Sequence, residues 1–291
     1  MDCSYPILIR NPKTKELQRV PCGRCVPCME RRQKDWAFRL QQELKYTQGR
    51  SVFVTLTYDD EHLPFSESGE PTLVKRDFQL FMKRFRKQFS DYTLRYFACG
   101  EYGFHPQTGV VARPHYHAII FGLPNDTNKI DSILHDCWKN GFITFDGVTR
   151  GRCFYVAKYC IKPNNRVNDF DKIERPFALM STRPPIGSKY LDVASDYHRK
   201  SQSFFCVDSK SQKVALPRYY KERIFNDLER KWYARQCEIK ASIRENKSVL
   251  PFLRKGYDSE ESYLLSLRRQ RKDRDALERI TYKRLYEKKE L

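Results

Sequence analysis

Apolar positions along the chain recur with two different periods, and these periods predict both strands and helices. Segments dense in β-branched and aromatic residues predict strands, because such side chains pack well on a pleated surface. Segments with apolar residues three and four positions apart predict amphipathic helices. The predicted strands are residues 51–58, 94–99, 115–121 and 141–145, and the predicted helices are residues 29–48, 73–89, 129–139 and 154–162.

From residue 51 onward these elements follow the order β-α-β-β-α-β-α, which suits a split β-α-β sheet with helices packed on it. The predicted fold class is therefore α+β, with a central antiparallel sheet and flanking helices. Four regions are predicted: a cysteine-cluster segment with a basic helix (1–48), a core (49–165), an irregular connecting region (166–218) and a charged helical extension (219–291).

The composition adds a strong positive charge to this picture. The chain has 55 Lys and Arg against 36 Asp and Glu, a net charge of +19, and 14% of its residues are aromatic. A basic, aromatic-rich protein favours a polyanionic partner, and nucleic acid is the commonest. No apolar run approaches the roughly 20 residues that a membrane helix needs. The first residues lack a signal-peptide pattern, so we expect no membrane partner and a reducing compartment for the ten cysteines.

Candidate metal ligands occur on one predicted strand and at the end of the strand before it. His115 and His117 are two positions apart, so their side chains share one face of a strand. If the preceding strand pairs with it in antiparallel fashion, Glu101 lies beside them. Two imidazoles and a carboxylate leave positions open for a phosphate oxygen and water, which is typical of a catalytic Mg²⁺ or Mn²⁺ site. The alternatives are histidines on a solvated face or in the core, and a surface carboxylate at a turn.

Two tyrosines on the last predicted core helix are candidate nucleophiles. Tyr155 and Tyr159 are four residues apart, so they share one helix face. Lys158 and Lys162 each follow one of them by three positions, and a cation nearby favours the phenolate, which is the nucleophilic form. The alternative is that the tyrosines pack in the core and the lysines face water.

A second candidate metal site consists of cysteines near the start of the chain. Cys22, Cys25 and Cys28 have C-x-x-C-x-x-C spacing, and Cys3 is a candidate fourth ligand. Four thiolates predict a closed, structural Zn²⁺ site. An iron–sulfur cluster and a set of cysteines without metal are the alternatives.

Four short runs together resemble the motif series of the HUH endonucleases, the rolling-circle replication initiators of small single-stranded DNA replicons. These runs are Val54–Thr57, Gly100–Gly103, Arg113–His117 and Tyr155–Tyr159. The tandem tyrosines and the cysteine cluster resemble the replication initiators of microviruses, of the gokushovirus type. Tyr116 departs mildly from the resemblance, because the family has a bulky hydrophobic residue between the histidines.

The resemblance implies a ferredoxin- or RRM-like antiparallel sheet and a site-specific single-strand DNA endonuclease. Such an enzyme nicks the viral origin through a covalent 5′-phosphotyrosine and rejoins the strand. The chain contains no P-loop run, so a host helicase is expected to unwind the duplex, beside a host polymerase, in the cytoplasm of a bacterial host. Two rival functions remain open: a non-enzymatic RRM-like nucleic-acid-binding protein, and a metal-dependent phosphodiesterase that uses water.

Overall fold

A computed structural model describes residues 3–12, 15–104, 111–125, 130–159, 173–208, 211–253 and 269. The chain divides into two compact units. The sheet unit is Gln33–Tyr220, and the terminal unit combines Met1–Arg32 with Lys221–Leu291. Each unit is described by itself below.

The sheet unit is built on a five-stranded antiparallel sheet with helices packed on it, which confirms the predicted α+β class. Its strands have the order β6-β3-β5-β4-β7, and every neighbouring pair is antiparallel. The strands are β3 (Arg50–Tyr58), β4 (Arg95–Phe104), β5 (Val111–Leu123), β6 (Gly141–Gly147) and β7 (Phe177–Met180). The helices of this unit are α2 (Lys75–Gln88), α3 (Ile130–Cys137), α4 (Arg150–Tyr159) and α5 (Lys189–Ser201), with a small hairpin of β8 (Phe205–Val207) and β9 (Lys213–Ala215).

The central strand β5 separates two hydrophobic layers, because its side chains alternate between the two faces of the sheet. Tyr116, Ala118 and Ile120 belong to the layer that contains the apolar side chains of α2 and α3. Ile119 and Phe121 belong to the opposite layer, which contains the apolar side chains of α4. His115 and His117 have the same parity as Ile119 and Phe121, so they lie on the α4 face of the sheet.

The terminal unit contains a two-stranded hairpin and long helical segments. Strand β1 (Ile7–Arg10) pairs in antiparallel fashion with β2 (Leu17–Val20). Helix α1 (Val26–Tyr46) begins in this unit and continues into the sheet unit, and α6 (Arg218–Ile224) spans the other boundary between the units. Helix α7 (Asp227–Leu253) provides the predicted C-terminal helical extension. Within the described residues, no helix combines the length and the apolar character that a bilayer crossing requires.

The structure corrects several predicted boundaries. Strand β5 begins at Val111, so the predicted loop over 104–114 is wrong at its end. Pro114 lies past His115, the last β5 residue that pairs with β3, where β5 has β4 as its strand partner. A proline is tolerated where a strand has one neighbour. Helix α4 begins at Arg150 instead of 154, and its predicted end at residues 160–162 lies outside the described residues.

The region 163–218, which the sequence leaves without predicted elements, adds the edge strand β7 to the sheet.

Candidate active site

Antiparallel pairing brings Glu101 to the two histidines on the α4 face of the sheet. Glu101 on β4 is the register partner of His115 on β5. Its Oε1 atom lies 3.1 Å from Nε2 of His115 and 3.2 Å from Nε2 of His117. All three side chains are shielded: Glu101 is 3% exposed and His117 is 6% exposed. The structure therefore converges two imidazoles on one buried carboxylate, as the sequence predicts.

Hydrogen bonds on the far side of each ring orient the two imidazoles. Nδ1 of His115 lies 3.1 Å from the carbonyl oxygen of Arg113, and a carbonyl can only accept, so Nδ1 carries the proton. In the neutral ring, Nε2 then directs a lone pair at the carboxylate. Nδ1 of His117 lies 2.9 Å from the hydroxyl of Thr55, its register partner on β3. Such outer partners fix the orientation of metal-binding imidazoles.

The donor set fits a divalent cation. The candidate ligand atoms of Glu101, His115 and His117 all lie within 4.8 Å of one another. With Nδ1 of His115 protonated, its Nε2 and the Glu101 oxygen are two acceptors that face each other at 3.1 Å. A cation between them relieves that repulsion. Two nitrogens and a carboxylate oxygen suit Mg²⁺, Mn²⁺ or another divalent ion that keeps open coordination positions.

Helix α4 places both candidate nucleophiles against this group. The Tyr159 ring stacks on the His117 ring with centroids 4.8 Å apart and an interplanar angle of 24°. The Tyr155 ring meets the His117 ring edge-on at 5.6 Å, and the two tyrosine rings are 4.8 Å apart. The imidazoles and the phenols therefore share one pocket, and the two regions of sequence that contain them come together in space.

The two tyrosines differ in exposure. Tyr155 is 41% exposed, whereas Tyr159 is 6% exposed. Lys158 is buried, and its Nζ lies 5.9 Å from the centroid of the Tyr159 ring, so it can favour a negative charge in this pocket. The alternative in which Lys158 faces water is therefore wrong, and Lys162 lies outside the described residues.

Two further residues belong to this pocket although the sequence does not single them out. Phe53, two residues before Thr55 on the same face of β3, stacks near His117 with centroids 5.7 Å apart. Its ring also contacts Tyr155 and lies 5.5 Å from the guanidinium carbon of Arg152. Arg152 is held by an ion pair with Asp146 and by the carbonyl oxygen of Gly147. The period-2 spacing of Phe53 and Thr55 is the sequence signal that places them beside the histidines.

Tyr116, between the histidines, points to the other face of the sheet. Its hydroxyl lies 2.7 Å from that of Tyr58, accepts a hydrogen bond from the backbone N–H of Val74 and donates to the carbonyl of Val74. Tyr58 in turn donates to Asp77 over 2.7 Å. Burial raises the pKa of Tyr116 to about 12, so this phenol stays protonated. Tyr116 is therefore a core residue on the α2 side and not part of the pocket.

The four N-terminal cysteines form a second cluster, within the terminal unit. The sulfur atoms of Cys3, Cys22, Cys25 and Cys28 all lie within 4.8 Å of one another. The Sγ atoms of Cys3 and Cys25 are 3.7 Å apart, well beyond the roughly 2.05 Å of a disulfide bond. Backbone N–H groups of Cys22 and Cys25 donate to the sulfurs of Cys3 and Cys22. This arrangement is typical of a site that holds thiolates.

The thiols of this cluster perturb one another. Although burial acts to raise the pKa of Cys25, hydrogen bonds from the backbone at Ser4 and Cys28 outweigh it and lower the pKa to about 7. Burial and the neighbouring thiols raise the pKa of Cys28 well above its usual range. Four thiolates can coexist at this spacing only with a cation among them, and tetrahedral sulfur ligation is the preference of Zn²⁺. The residues therefore fit a zinc ion.

Comparisons with known proteins place these features in a family. A family model for replication-associated proteins of the ORF2 type matches residues 51–164. The replication-associated protein VP4 of Bdellovibrio phage phiMH2K is 30% identical over 246 residues, which cover 77% of this chain and 73% of the phage protein. The replication-associated protein ORF2 of Spiroplasma virus 4 is 29% identical over 229 residues, covering 73% of this chain and 68% of that protein.

A third relative, the replication-associated protein ORF4 of Chlamydia phage 1, is 27% identical over 223 residues, covering 70% of this chain and 53% of that protein. No solved structure matches the chain.

Proposed function

The chain belongs to the family of replication-associated proteins of small single-stranded DNA phages, and from that membership we propose that it is an endonuclease that nicks the viral origin. In this proposal the enzyme cuts one strand at a specific site, stays covalently attached to the 5′ end, and later rejoins the strand. Rolling-circle replication would begin from the 3′-hydroxyl that the nick releases.

One observation carries the proposal: the His117 ring is in contact with both tyrosines while its Nε2 lies 3.2 Å from the carboxylate of Glu101. A core that only packed aromatic rings would gain nothing from two titratable imidazoles and a buried carboxylate at the same place. A cation site next to two phenols suits phosphoryl transfer to tyrosine.

Each residue then has a distinct part in the reaction. Glu101, His115 and His117 would hold Mg²⁺ or Mn²⁺, which when bound supplies Lewis-acid polarisation of the scissile phosphate. The oxygen of Tyr155 or Tyr159 attacks phosphorus and forms a new O–P bond, while the bond from phosphorus to the 3′-oxygen breaks. The phenol gives up its proton to solvent and the 3′-oxygen takes one up, so charge balances. Lys158, and in the resemblance Lys162, would stabilise the phenolate or the phosphate.

The difference in exposure orders the two tyrosines in this proposal. Tyr155 is accessible to a DNA strand in the conformation described, whereas Tyr159 is covered and stacked on His117. We infer that Tyr155 attacks first and that Tyr159 acts in the second transfer, after its ring has moved. The attack by a second tyrosine on the same helix face exchanges one phosphotyrosine linkage for another, which conserves the energy of the bond.

The cysteine cluster has a structural part in this proposal. A Zn²⁺ held by Cys3, Cys22, Cys25 and Cys28 would join β1, β2 and the first turn of α1, a segment whose apolar side chains on β1 are exposed. A closed tetrahedral site stabilises such a segment without taking part in chemistry.

The proposed partners are single-stranded DNA and the viral origin, with a host helicase and a host polymerase acting in the cytoplasm of the infected bacterium. The net charge of +19 favours DNA binding. The helicase, the polymerase and the compartment rest on the resemblance alone.

A covalent-adduct assay tests the proposed activity. The full chain is incubated with Mn²⁺ and single-stranded origin DNA, and the products are separated on a denaturing gel. We expect wild type to form a protein–DNA adduct and Tyr155→Phe/Tyr159→Phe to form none. Of the single variants, Tyr155→Phe should lose more of the adduct formed in the first turnover than Tyr159→Phe.

The rival functions give different products in the same assay. A phosphodiesterase that uses water would cut the strand without an adduct and would tolerate the double tyrosine change. A non-enzymatic binding protein would neither cut the strand nor respond to Mn²⁺. Either result would overturn the proposal.

A further inference from the structure

A cavity of about 370 Å³ lies at the end of the sheet unit where β4 begins. It is formed by the end of α2, the turn into β4 and the segment after β7. Its lining residues are Arg86, Ser90, Tyr92, Thr93, Leu94, Arg95, Ser181 and Arg183. Glu101 lies six residues further along β4, so the cavity is roughly 20 Å from the candidate active site at about 3.4 Å per residue. We call this cavity the arginine pocket.

Two of the three guanidinium groups in the arginine pocket are held in place. Arg95 forms an ion pair with the buried carboxylate of Glu43 and donates to the carbonyl oxygen of Pro184 over 2.8 Å. Arg86 donates to the carbonyl oxygen of Leu94 over 3.2 Å, and its guanidinium carbon lies 5.2 Å from the centroid of the Tyr96 ring. A guanidinium fixed in this way loses little conformational entropy when it binds an anion.

The pocket has an excess of positive charge. Glu43 neutralises Arg95, but neither Arg86 nor Arg183 forms an ion pair with a carboxylate among the residues that the structure describes. Arg183 is exposed at the rim. The planar donors of arginine match the oxygens of a phosphate group, and hydroxyl-bearing residues complete the lining.

The rim also carries an exposed aromatic ring. Tyr92 lines the pocket and is 49% exposed, although aromatic rings of this size gain from burial. A positively charged groove next to an accessible aromatic ring is the combination that binds single-stranded polynucleotides, because the ring stacks on a base while the cations contact the backbone.

We propose that the arginine pocket is a second nucleic-acid site, where Arg86 and Arg183 bind backbone phosphate and Tyr92 stacks on a base. The choice of DNA as the polynucleotide rests on the proposed function, but the binding needs neither the candidate metal ligands nor the tyrosines of α4. A strand bound there would be anchored roughly 20 Å from the scissile phosphate. The same phosphate chemistry is present in a free nucleotide, so the test compares the two sources.

The test measures binding without cleavage. The full chain carrying Tyr155→Phe/Tyr159→Phe is titrated, without added divalent ion, into a labelled single strand of about 16 nucleotides, and anisotropy is recorded at several salt concentrations. We expect Arg183→Ala to weaken binding about fivefold and to reduce the slope of log affinity against log salt by about 0.7, the value for one phosphate contact on a single strand. Tyr92→Ala should also weaken binding at least about fivefold, whereas Tyr92→Phe should not.

Matched controls separate the pocket from general charge. Lys139→Ala removes one exposed positive charge outside the pocket and should change affinity less than about twofold. Thermal unfolding of every variant should stay at the parent temperature, because Tyr92 and Arg183 are exposed. Unchanged affinity and salt slope for Arg183→Ala and Tyr92→Ala would overturn the proposal. Equal affinity for deoxyadenosine monophosphate and the single strand would overturn the assignment to a polynucleotide.

Failure of this proposal is distinguishable from failure of the proposed nicking activity. If wild type forms no covalent adduct but the pocket variants still lose affinity, the second site stands and the nuclease does not. If the adduct forms and the pocket variants bind like their parent, the nuclease stands and the second site does not.

Discussion

The two candidate metal sites of this protein are built in opposite ways. Glu101, His115 and His117 lie on neighbouring strands at the centre of a five-stranded sheet, and the strand pairing that aligns them also forms the core. The four cysteines lie in short segments around a two-stranded hairpin, and three of them are within seven residues of one another in the sequence. In the first site the fold positions the ligands, and in the second we expect the ion to position the chain.

This difference separates chemistry from stability. A site of three ligands with mixed nitrogen and oxygen donors, adjacent to two phenols, leaves coordination positions for substrate, whereas four sulfur ligands close the coordination sphere. Removal of an ion from the first site should therefore abolish activity and leave the fold intact. Removal of the ion from the second should unfold a local segment.

The largest expected effect follows from breaking the cysteine cluster. Cys25→Ser removes the most buried sulfur of the four, so zinc should be lost and the hairpin β1–β2 should lose its hydrogen-exchange protection. Structural zinc typically contributes about 10–16 kcal/mol of apparent binding free energy, far more than a four-residue hairpin pair can replace. Zinc content by atomic absorption and exchange at residues 7–20 check this prediction.

The control for this prediction is Cys237→Ser, which changes an exposed cysteine outside the cluster and should keep the zinc. Protection of the five-stranded sheet should be unchanged in both variants. Full retention of zinc by Cys25→Ser would show that the four thiols are not one metal site.

The second effect tests the site on the sheet. Glu101→Gln keeps the shape of the side chain but removes the charge that faces both Nε2 atoms. We expect Mn²⁺ binding by calorimetry to fall at least about 100-fold, and adduct formation to fall with it, because a neutral amide is a poor ligand for a hard cation. The temperature of unfolding should not fall. Glu70→Gln, an exposed carboxylate elsewhere in the same unit, is the matched control and should behave like wild type.

Much of this contrast could be predicted from the sequence, because both ligand sets are local patterns. Alternation on a strand places His115 and His117 on one face, and antiparallel pairing of consecutive strands brings Glu101 beside them. The spacing of Cys22, Cys25 and Cys28 predicts a cluster before any fold is known. The helix that carries Tyr155 and Tyr159 was also predictable, although its position over the histidines followed only from the family resemblance.

The parts that could not be predicted depend on distant pairing. Strand β7 has four residues in a segment rich in proline and serine, and it is stabilised by its pairing with β4, some 80 positions earlier. Pro114 suggested a loop, because proline interrupts a ladder, but β5 has one strand neighbour at that point. The contact between Thr55 and His117 likewise spans 62 positions and depends on the register between β3 and β5.

A smaller effect is expected one step away from the candidate ligands. Thr55→Val keeps the volume of the side chain but removes the hydroxyl that lies 2.9 Å from Nδ1 of His117. The ring should lose its preferred orientation, so Mn²⁺ affinity should fall about 10- to 100-fold, as is typical when an outer partner of a metal-binding histidine is removed. Thr55→Ser should restore most of the affinity. Calorimetry with Mn²⁺ measures the effect independently of cleavage, and wild-type affinity in Thr55→Val would exclude this role for the hydroxyl.

The smallest effect on activity is expected from Tyr116, which separates the two faces of the strand that carries the histidines. Tyr116→Phe removes the hydroxyl that bonds to Tyr58 and to both backbone groups of Val74, on the face opposite the candidate active site. Leaving those buried groups unsatisfied should cost about 1–3 kcal/mol of unfolding free energy. Adduct formation and Mn²⁺ affinity should nevertheless match wild type, because the ring faces away from Glu101. If this change altered metal binding as strongly as Thr55→Val, the two faces of β5 would not be independent, and the separation of chemistry from stability would hold between the two metal sites but not within the sheet.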